Sequence, residues 1–258
     1  MVVITGASEG IGRAFARRYA AKGRDLLLIA RRPEPLARLA DGIRAAHAVR
    51  VEMLAQDLTA PNALAAIDAA LAAAGAHCDL LVNNAGIGLS GAFHDLALDD
   101  IERLLALNAA APTRLMHHVL PGMRARGRGG IINLASLGGF APGPYQAAYY
   151  ASRAYMLSLS EAVAAEVARD GVRITAVAPG PVRTGFHAKM GADNDLYRWL
   201  VPSISPERVA LWAVTAHNLG ARVVVPGLLN NIFALSLRLM PHRISVLVQG
   251  TLFYPRSR

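Results

Sequence analysis

At 258 residues, 53% of them hydrophobic, the chain is long enough to enclose one large core. A single cysteine, Cys78, excludes an intrachain disulfide and a multi-cysteine metal centre, so no metal site is expected and a reducing cytoplasm suits the composition. The net charge of +9 does not imply a nucleic-acid partner, because the arginines are scattered and the one dense cluster (Arg124, Arg126 and Arg128) lacks interleaved aromatics.

Apolar runs predict strands near 2–5, 25–30, 49–54, 79–82, 130–135, 172–177 and 222–226. Between them lie segments rich in Ala, Leu and Arg, such as 61–74 and 157–169, that read as helices. Strand and helix alternate throughout, with no linker or repeat. The prediction is an α/β fold, one doubly wound domain whose parallel sheet of about seven strands is flanked by helices. The first strand begins at residue 2, which leaves no room for a leader.

The first strand runs into Gly6-Ala7-Ser8-Glu9-Gly10-Ile11-Gly12. Glycines at this spacing let the backbone approach a pyrophosphate, which can then rest on amides at a helix N-terminus. A plain tight turn is the alternative for such a loop taken alone. The second strand ends in Ala30-Arg31-Arg32, with no acid to meet a ribose 2′-hydroxyl. Two guanidinium groups there suit a 2′-phosphate through bidentate, charge-assisted hydrogen bonds. NADP(H) is therefore the expected cofactor, with Arg31 as its first partner, Arg32 assisting, and NAD(H) as the alternative. Glu9, inside the glycine turn, counts against that preference. Further on, Tyr149 and Arg153 are four residues apart and share one face of a helix. A fixed positive charge beside a phenol favours the phenolate.

Ser136 precedes Tyr149 by thirteen residues, and Ser-x12-Tyr-x3-Lys is the signature of the short-chain dehydrogenase/reductase family. The chain resembles that family at four further places. These are the glycine turn, Asn83-Asn84-Ala85-Gly86 after the fourth strand, Asn108 in a helical stretch, and Pro179-Gly180-Pro181-Val182-Arg183-Thr184 after the sixth strand. The resemblance implies a single Rossmann-type domain, with residues 1–130 mainly holding cofactor and 131–258 supplying reactive residues, substrate loop and C-terminal cover. It also implies an oxidoreductase that interconverts a ketone or aldehyde with an alcohol. Tyr149 would be the acid/base, Ser136 would polarise the carbonyl, and Asn108 would anchor a water in the proton relay. Cofactor contacts would come from Gly6, Ser8, Glu9, Gly10, Ile11 and Gly12, and from Asp57 and Leu58 beside the adenine. Asn84, Ala85 and Gly86, Tyr149 and Arg153, and Pro179, Gly180, Val182 and Thr184 would complete the cradle.

The departure is Arg153, where the family carries Lys. Arginine can hold a ribose and supply charge, but its guanidinium keeps its proton and relays poorly. A working substitute, a slow or vestigial enzyme, and a replaced lysine all remain open, and a non-catalytic NADP(H)-binding sensor on the same fold is the alternative function. Phe140, Tyr145, Phe186, Met190 and Trp199 suggest an apolar pocket for a medium-sized ketone, aldehyde or secondary alcohol. The tail after Gly227 is apolar yet broken by Arg238, Pro241, His242 and Arg243, too interrupted to cross a membrane. It could cover the pocket, form a subunit contact, or lie on a membrane surface. A homodimer or homotetramer is expected by analogy with the family.

Overall fold

The structure is a computed structural model that describes residues 1–191 and 203–252. Seven parallel strands form one sheet in the order β3-β2-β1-β4-β5-β6-β7. They are β1 (Val2–Thr5), β2 (Leu26–Ala30), β3 (Val51–Ala55), β4 (Leu80–Asn83), β5 (Gly129–Leu134), β6 (Val172–Val177) and β7 (Val223–Val224). The inner strands β1, β2, β4 and β5 are buried and mostly apolar, broken only by Thr5, Asn83 and Asn133, because helices cover both faces, which is the pattern of a parallel sheet. Leu26, Leu27, Leu28 and Ile29 in β2 are all fully buried, and Ile131 and Ile132 of β5 match them. The last strand is shorter than the sequence suggests. Pro226 has no amide hydrogen for the ladder, and pairing stops at Val224.

The crossover helices are α1 (Gly10–Ala20), α2 (Pro33–Ala46), α3 (Ala63–Ala73), α4 (Leu98–Leu105), α5 (Ala111–Ala125) and α6 (Ala147–Glu166). After β6 come the short α7 (Phe186–Met190), α8 (Pro206–Asn218), α9 (Leu228–Leu239) and α10 (His242–Leu252). Two hydrophobic clusters divide the core between the sheet's faces. One centres on α1, α2 and α8, the other on α4, α5 and α6. Helix α6 begins ten residues earlier than the 157–169 reading placed it, so Tyr149 and Arg153 lie in its first two turns.

Strand order reverses between β1 and β4, which sends the chain to opposite sides of the sheet there. In such sheets a crevice opens outside the C-terminal strand ends at the reversal. The loops after β1, β4, β5 and β6, which carry nearly all the motifs, converge on that crevice.

Candidate active site

The crevice is a cleft of about 1120 Å³. Its floor is the glycine turn after β1. Gly6 and Gly10 have φ of +62° and +54°, in the left-handed region that favours glycine. A Cβ on Gly12 would stand 2.2 Å from the Gly6 carbonyl oxygen, so α1 can start this close to β1 only with glycine there. The turn is braced from β4. Thr5 Oγ1 accepts hydrogen bonds from the Asn84 and Ala85 backbone N–H groups at 2.9 and 3.1 Å. Asn84 Nδ2 donates to the Thr5 and Gly6 carbonyls at 3.0 and 3.1 Å. The Asn84 side chain thus fixes the shape of the cradle, a part the sequence motif did not reveal.

Arg31 and Arg32 leave the end of β2 at the cleft wall, both exposed. Arg31 lies close enough to Asp57 for its charge to act on that carboxylate, and it makes no ion pair with a described residue. Asp57 Oδ1 accepts from the Thr59 N–H at 2.9 Å and from Thr59 Oγ1 at 2.7 Å, and the backbone bond chiefly holds its carboxyl below the usual range. Its carboxylate therefore closes the local turn at 57–60 while lining the cleft beside Leu58.

Glu9 sits between two cations. Arg32 Nη2 is 3.2 Å from its carboxylate, and Lys189 Nζ donates to the other oxygen. The Lys189 hydrogen bond, with the charges of Lys189 and Arg32, holds the Glu9 carboxyl below its ordinary range. Lys189 is on α7, in the segment after β6, so this clasp ties that segment to the glycine turn across 180 residues. No sequence signal marked Lys189, apart from its being one of two lysines.

At the reacting end, Ser136 follows β5 in extended backbone, and its Oγ accepts from the Gly138 N–H at 3.1 Å. That bond orients the hydroxyl oxygen and leaves its proton to donate. Tyr149 is 9% exposed, with Phe186 and Tyr150 against its ring at 5.8 and 6.1 Å between centroids. Tyr150 packs in a slot walled by Gly138 and Gly143, where a Cβ would meet its ring at 2.9 and 2.4 Å. The Arg153 guanidinium carbon lies 5.0 Å from the Tyr149 ring centroid, a cation–π arrangement. Arg153 Nη1 donates to the Leu134 carbonyl at 3.1 Å, and its Nε has no partner among the described residues. A Cβ on Gly86 would be 2.5 Å from Arg153 Nη2. The guanidinium is thus sandwiched between the Gly86 backbone and the Tyr149 ring.

Asn108 lies in a π-helical stretch, Ala106–Ala110, joining α4 to α5. Its Nδ2 donates to the Ile87 carbonyl at 2.8 Å and its Oδ1 accepts from the Ile87 N–H at 2.9 Å. The side chain braces the loop after β4, and the π turn shifts the helical register of the main chain around it.

Among the expected substrate residues, Phe186 and Met190 line the cleft. Phe140 and Tyr145 stand outside its lining. Arg238 of α9 covers the Phe140 ring at 4.4 Å. The Tyr145 backbone has a φ of +64° and accepts from the Gly91 N–H at 2.8 Å, with its side chain packed on the core. Trp199 lies outside the described residues. Every expected cofactor residue except Gly12 borders the cleft, and Gly12 stands just behind it. Arg13, Gln146, Arg183 and Lys189 join the lining without having been foreseen.

Comparison with known proteins places the chain in this setting. A profile described as short chain dehydrogenase matches residues 1–195. A fatty acyl-CoA reductase from Acinetobacter baylyi is 36% identical over 212 residues, which cover 81% of this chain and 70% of that protein. A solved short-chain dehydrogenase from Sphingobium yanoikuyae, in complex with NADPH, superposes with a TM-score of 0.81 at 36% identity, covering 91% of each chain. A bulky-bulky ketone specific alcohol dehydrogenase from Comamonas testosteroni gives a TM-score of 0.77 at 29% identity, covering 93% of this chain and 94% of that one.

Proposed function

The chain belongs to the short-chain dehydrogenase/reductase family, and on that premise we propose that it is an NADP(H)-dependent reductase of apolar, medium-sized ketones or aldehydes, able to run in reverse on the alcohol. The observation that carries the proposal is the convergence of Ser136, Tyr149 and Arg153 at one end of a cleft whose other end is a glycine cradle flanked by Arg31 and Arg32. The cradle suits a dinucleotide, since its glycines leave backbone where any Cβ would intrude. When bound, NADP(H) supplies or accepts the hydride.

The protein's own residues do the rest. Ser136 donates a hydrogen bond to the carbonyl oxygen, stabilising the negative charge that grows there. Tyr149 delivers the proton to that oxygen, or removes it in the reverse direction. Arg153 keeps a fixed positive charge against the Tyr149 ring and presents Nη2 beside Gly86, where a ribose hydroxyl can be met. Phe186 and Met190 exclude water from the reacting end and favour apolar substituents. The apolar lining agrees with the ketone named for the Comamonas enzyme and with the acyl substrate named for the Acinetobacter one. Residues 1–130 mainly hold cofactor in this reading, while 131–258 supply the reacting groups and the cover.

The preference for NADP(H) rests on Arg31, which has no ion pair among the described residues and so is available to a 2′-phosphate. Steady-state oxidation of NADPH and NADH with a panel of apolar ketones and aldehydes tests both parts. NADPH should be preferred by the native chain and the preference should collapse in Arg31→Asp. An unchanged preference in that variant would show that the phosphate is read elsewhere.

A further inference from the structure

Helices α9 and α10 leave a run of large apolar side chains exposed. In α9, Leu228, Ile232, Leu235 and Leu239 recur every third or fourth residue along one face, with Leu229 beside them, and all are exposed. Leu228 and Leu239 are 74% and 75% exposed. In α10, Ile244, Val246, Leu247 and Val248 are exposed, Leu247 at 73%, while Ser245 and Gln249 are turned inward. The inward polar groups gain little from that position. Asn230 Oδ1, Ser245 Oγ and both polar atoms of the Gln249 amide are buried without a partner among the described residues. Both helices thus show apolar side chains outward; α9 also buries Ala234 and Leu237 against the domain, whereas the buried side chains described in α10 are the polar Ser245 and Gln249. An apolar surface this continuous marks an interaction site.

The charge around it selects the occupant. Along α9 and α10 the sequence carries Arg238 and Arg243 and no Asp or Glu. Two copies of this cationic segment placed face to face would repel each other. An apolar face flanked only by cations matches a bilayer surface with anionic headgroups, where side chains enter the acyl boundary and arginines stay at the headgroups. Among the described residues no helix is long and apolar enough to cross a membrane, so the contact is one of lying on the surface.

We propose that α9 and α10 form a docking surface for an anionic lipid bilayer. The surface adjoins the segment 140–144 that follows Ser136. Arg238 stacks on Phe140, just after Ser136, and a Cβ on Gly250 would touch Pro144 at 3.7 Å. Resting on the reductase reading, the surface would bring the cleft to ketones or aldehydes dissolved in the membrane, while vesicle binding itself stands apart from catalysis.

The test is sedimentation of the full chain with phosphatidylcholine vesicles, with and without phosphatidylglycerol, at low and high salt. Sizing by analytical ultracentrifugation and an NADPH titration run beside it. The native chain should sediment with the anionic vesicles and be partly released by salt. Ile232→Glu/Leu235→Glu, changed only on the exposed face, should partition at least about tenfold more weakly, since burying one such side chain is itself worth about that factor. Its NADPH binding should be unchanged. Should that variant misfold, Leu228→Ser/Leu239→Ser makes the same test more gently. Native protein that stays in solution with anionic vesicles overturns the proposal. So does equal binding by folded native and variant chains, and so does a variant that only dissociates an oligomer, which would make the face a contact between copies. Vesicle binding without NADPH turnover would support the docking surface and count against the reductase reading alone.

Discussion

Arg153→Lys separates the two services proposed for the position. Arg153 is 5% exposed, so its hydrogen bonds matter to the fold as well as to chemistry. Lysine removes Nη1 and with it the donor to the Leu134 carbonyl at 3.1 Å, a loss of about 1–3 kcal/mol if that oxygen finds no other partner. It also removes Nε, a buried donor without a partner among the described residues, which offsets a similar amount. The two changes oppose each other, and net stability should move by no more than about 1 kcal/mol. The positive charge stays near Tyr149 in either case, but an ammonium exchanges its proton more readily than a guanidinium does. Turnover with NADPH and a saturating ketone should therefore rise, by roughly threefold to tenfold, a change of about 0.7–1.4 kcal/mol in barrier. Urea unfolding and initial rates, measured on the same preparations, check both halves. A tenfold fall in turnover with stability intact would refute the reasoning, and would mean that the slot between Gly86 and Tyr149 is fitted to the planar guanidinium.

Three other outcomes follow from the same structure. Glu9→Gln should tighten NADPH binding by a few-fold at low salt, because Arg32 and Lys189 are released toward the phosphates; the exposure of these pairs keeps the effect below about 1 kcal/mol, and a fluorescence titration across salt concentrations measures it. Gly12→Ala should weaken NADPH binding by more than tenfold and cost about 1–3 kcal/mol of stability, since its Cβ would lie 2.2 Å from the Gly6 oxygen; Gly42→Ala, with nothing within 4 Å, is the control and should not weaken either. His217, buried beside Thr175, has its imidazole pushed down to about 4 from 6.5, first by desolvation and then by the charge of Arg173. The unfolded chain therefore takes up the proton first as pH falls. Stability from this group is fully present above pH 6.5 and is lost toward pH 4, by about 3 kcal/mol. Urea unfolding at pH 7 and pH 4.5 should show a smaller acid loss in His217→Gln; an equal loss would assign the acid sensitivity to other groups.

The sheet was legible because parallel strands buried on both faces are rich in apolar residues, and β1, β2, β4, β5 and β6 are mostly apolar. The glycine turn and the Ser136, Tyr149 and Arg153 set were legible because each is compact in sequence or fixed by helical spacing. What stayed hidden depends on distant segments meeting. Lys189 reaches Glu9 over 180 residues, and neither residue type announces the pairing. Asn84 and Asn108 have the residue type of polar site groups, yet their amides are occupied in bracing the loops after β1 and β4. That Phe140 and Tyr145 stand outside the cleft lining was not legible, because proximity in sequence to Ser136 and Tyr149 does not fix the direction of a side chain. Arg238, nearly a hundred residues downstream, covers the first, and a left-handed backbone turns the second onto the core. Which faces of α9 and α10 stay uncovered was likewise not legible, since an apolar period shows that a helix has two faces without showing which one is covered.

The central claim is that Tyr149 transfers the proton in an NADPH-dependent reduction. The most direct measurement compares NADPH binding and NADPH oxidation in the native chain and in Tyr149→Phe, with the ketone that the native chain reduces fastest. The account predicts that Phe preserves NADPH binding within a few-fold, because only the hydroxyl is lost, and lowers turnover by about a hundredfold or more. Undiminished turnover in Tyr149→Phe, or NADPH binding by the native chain with no turnover of any carbonyl tested, would contradict it.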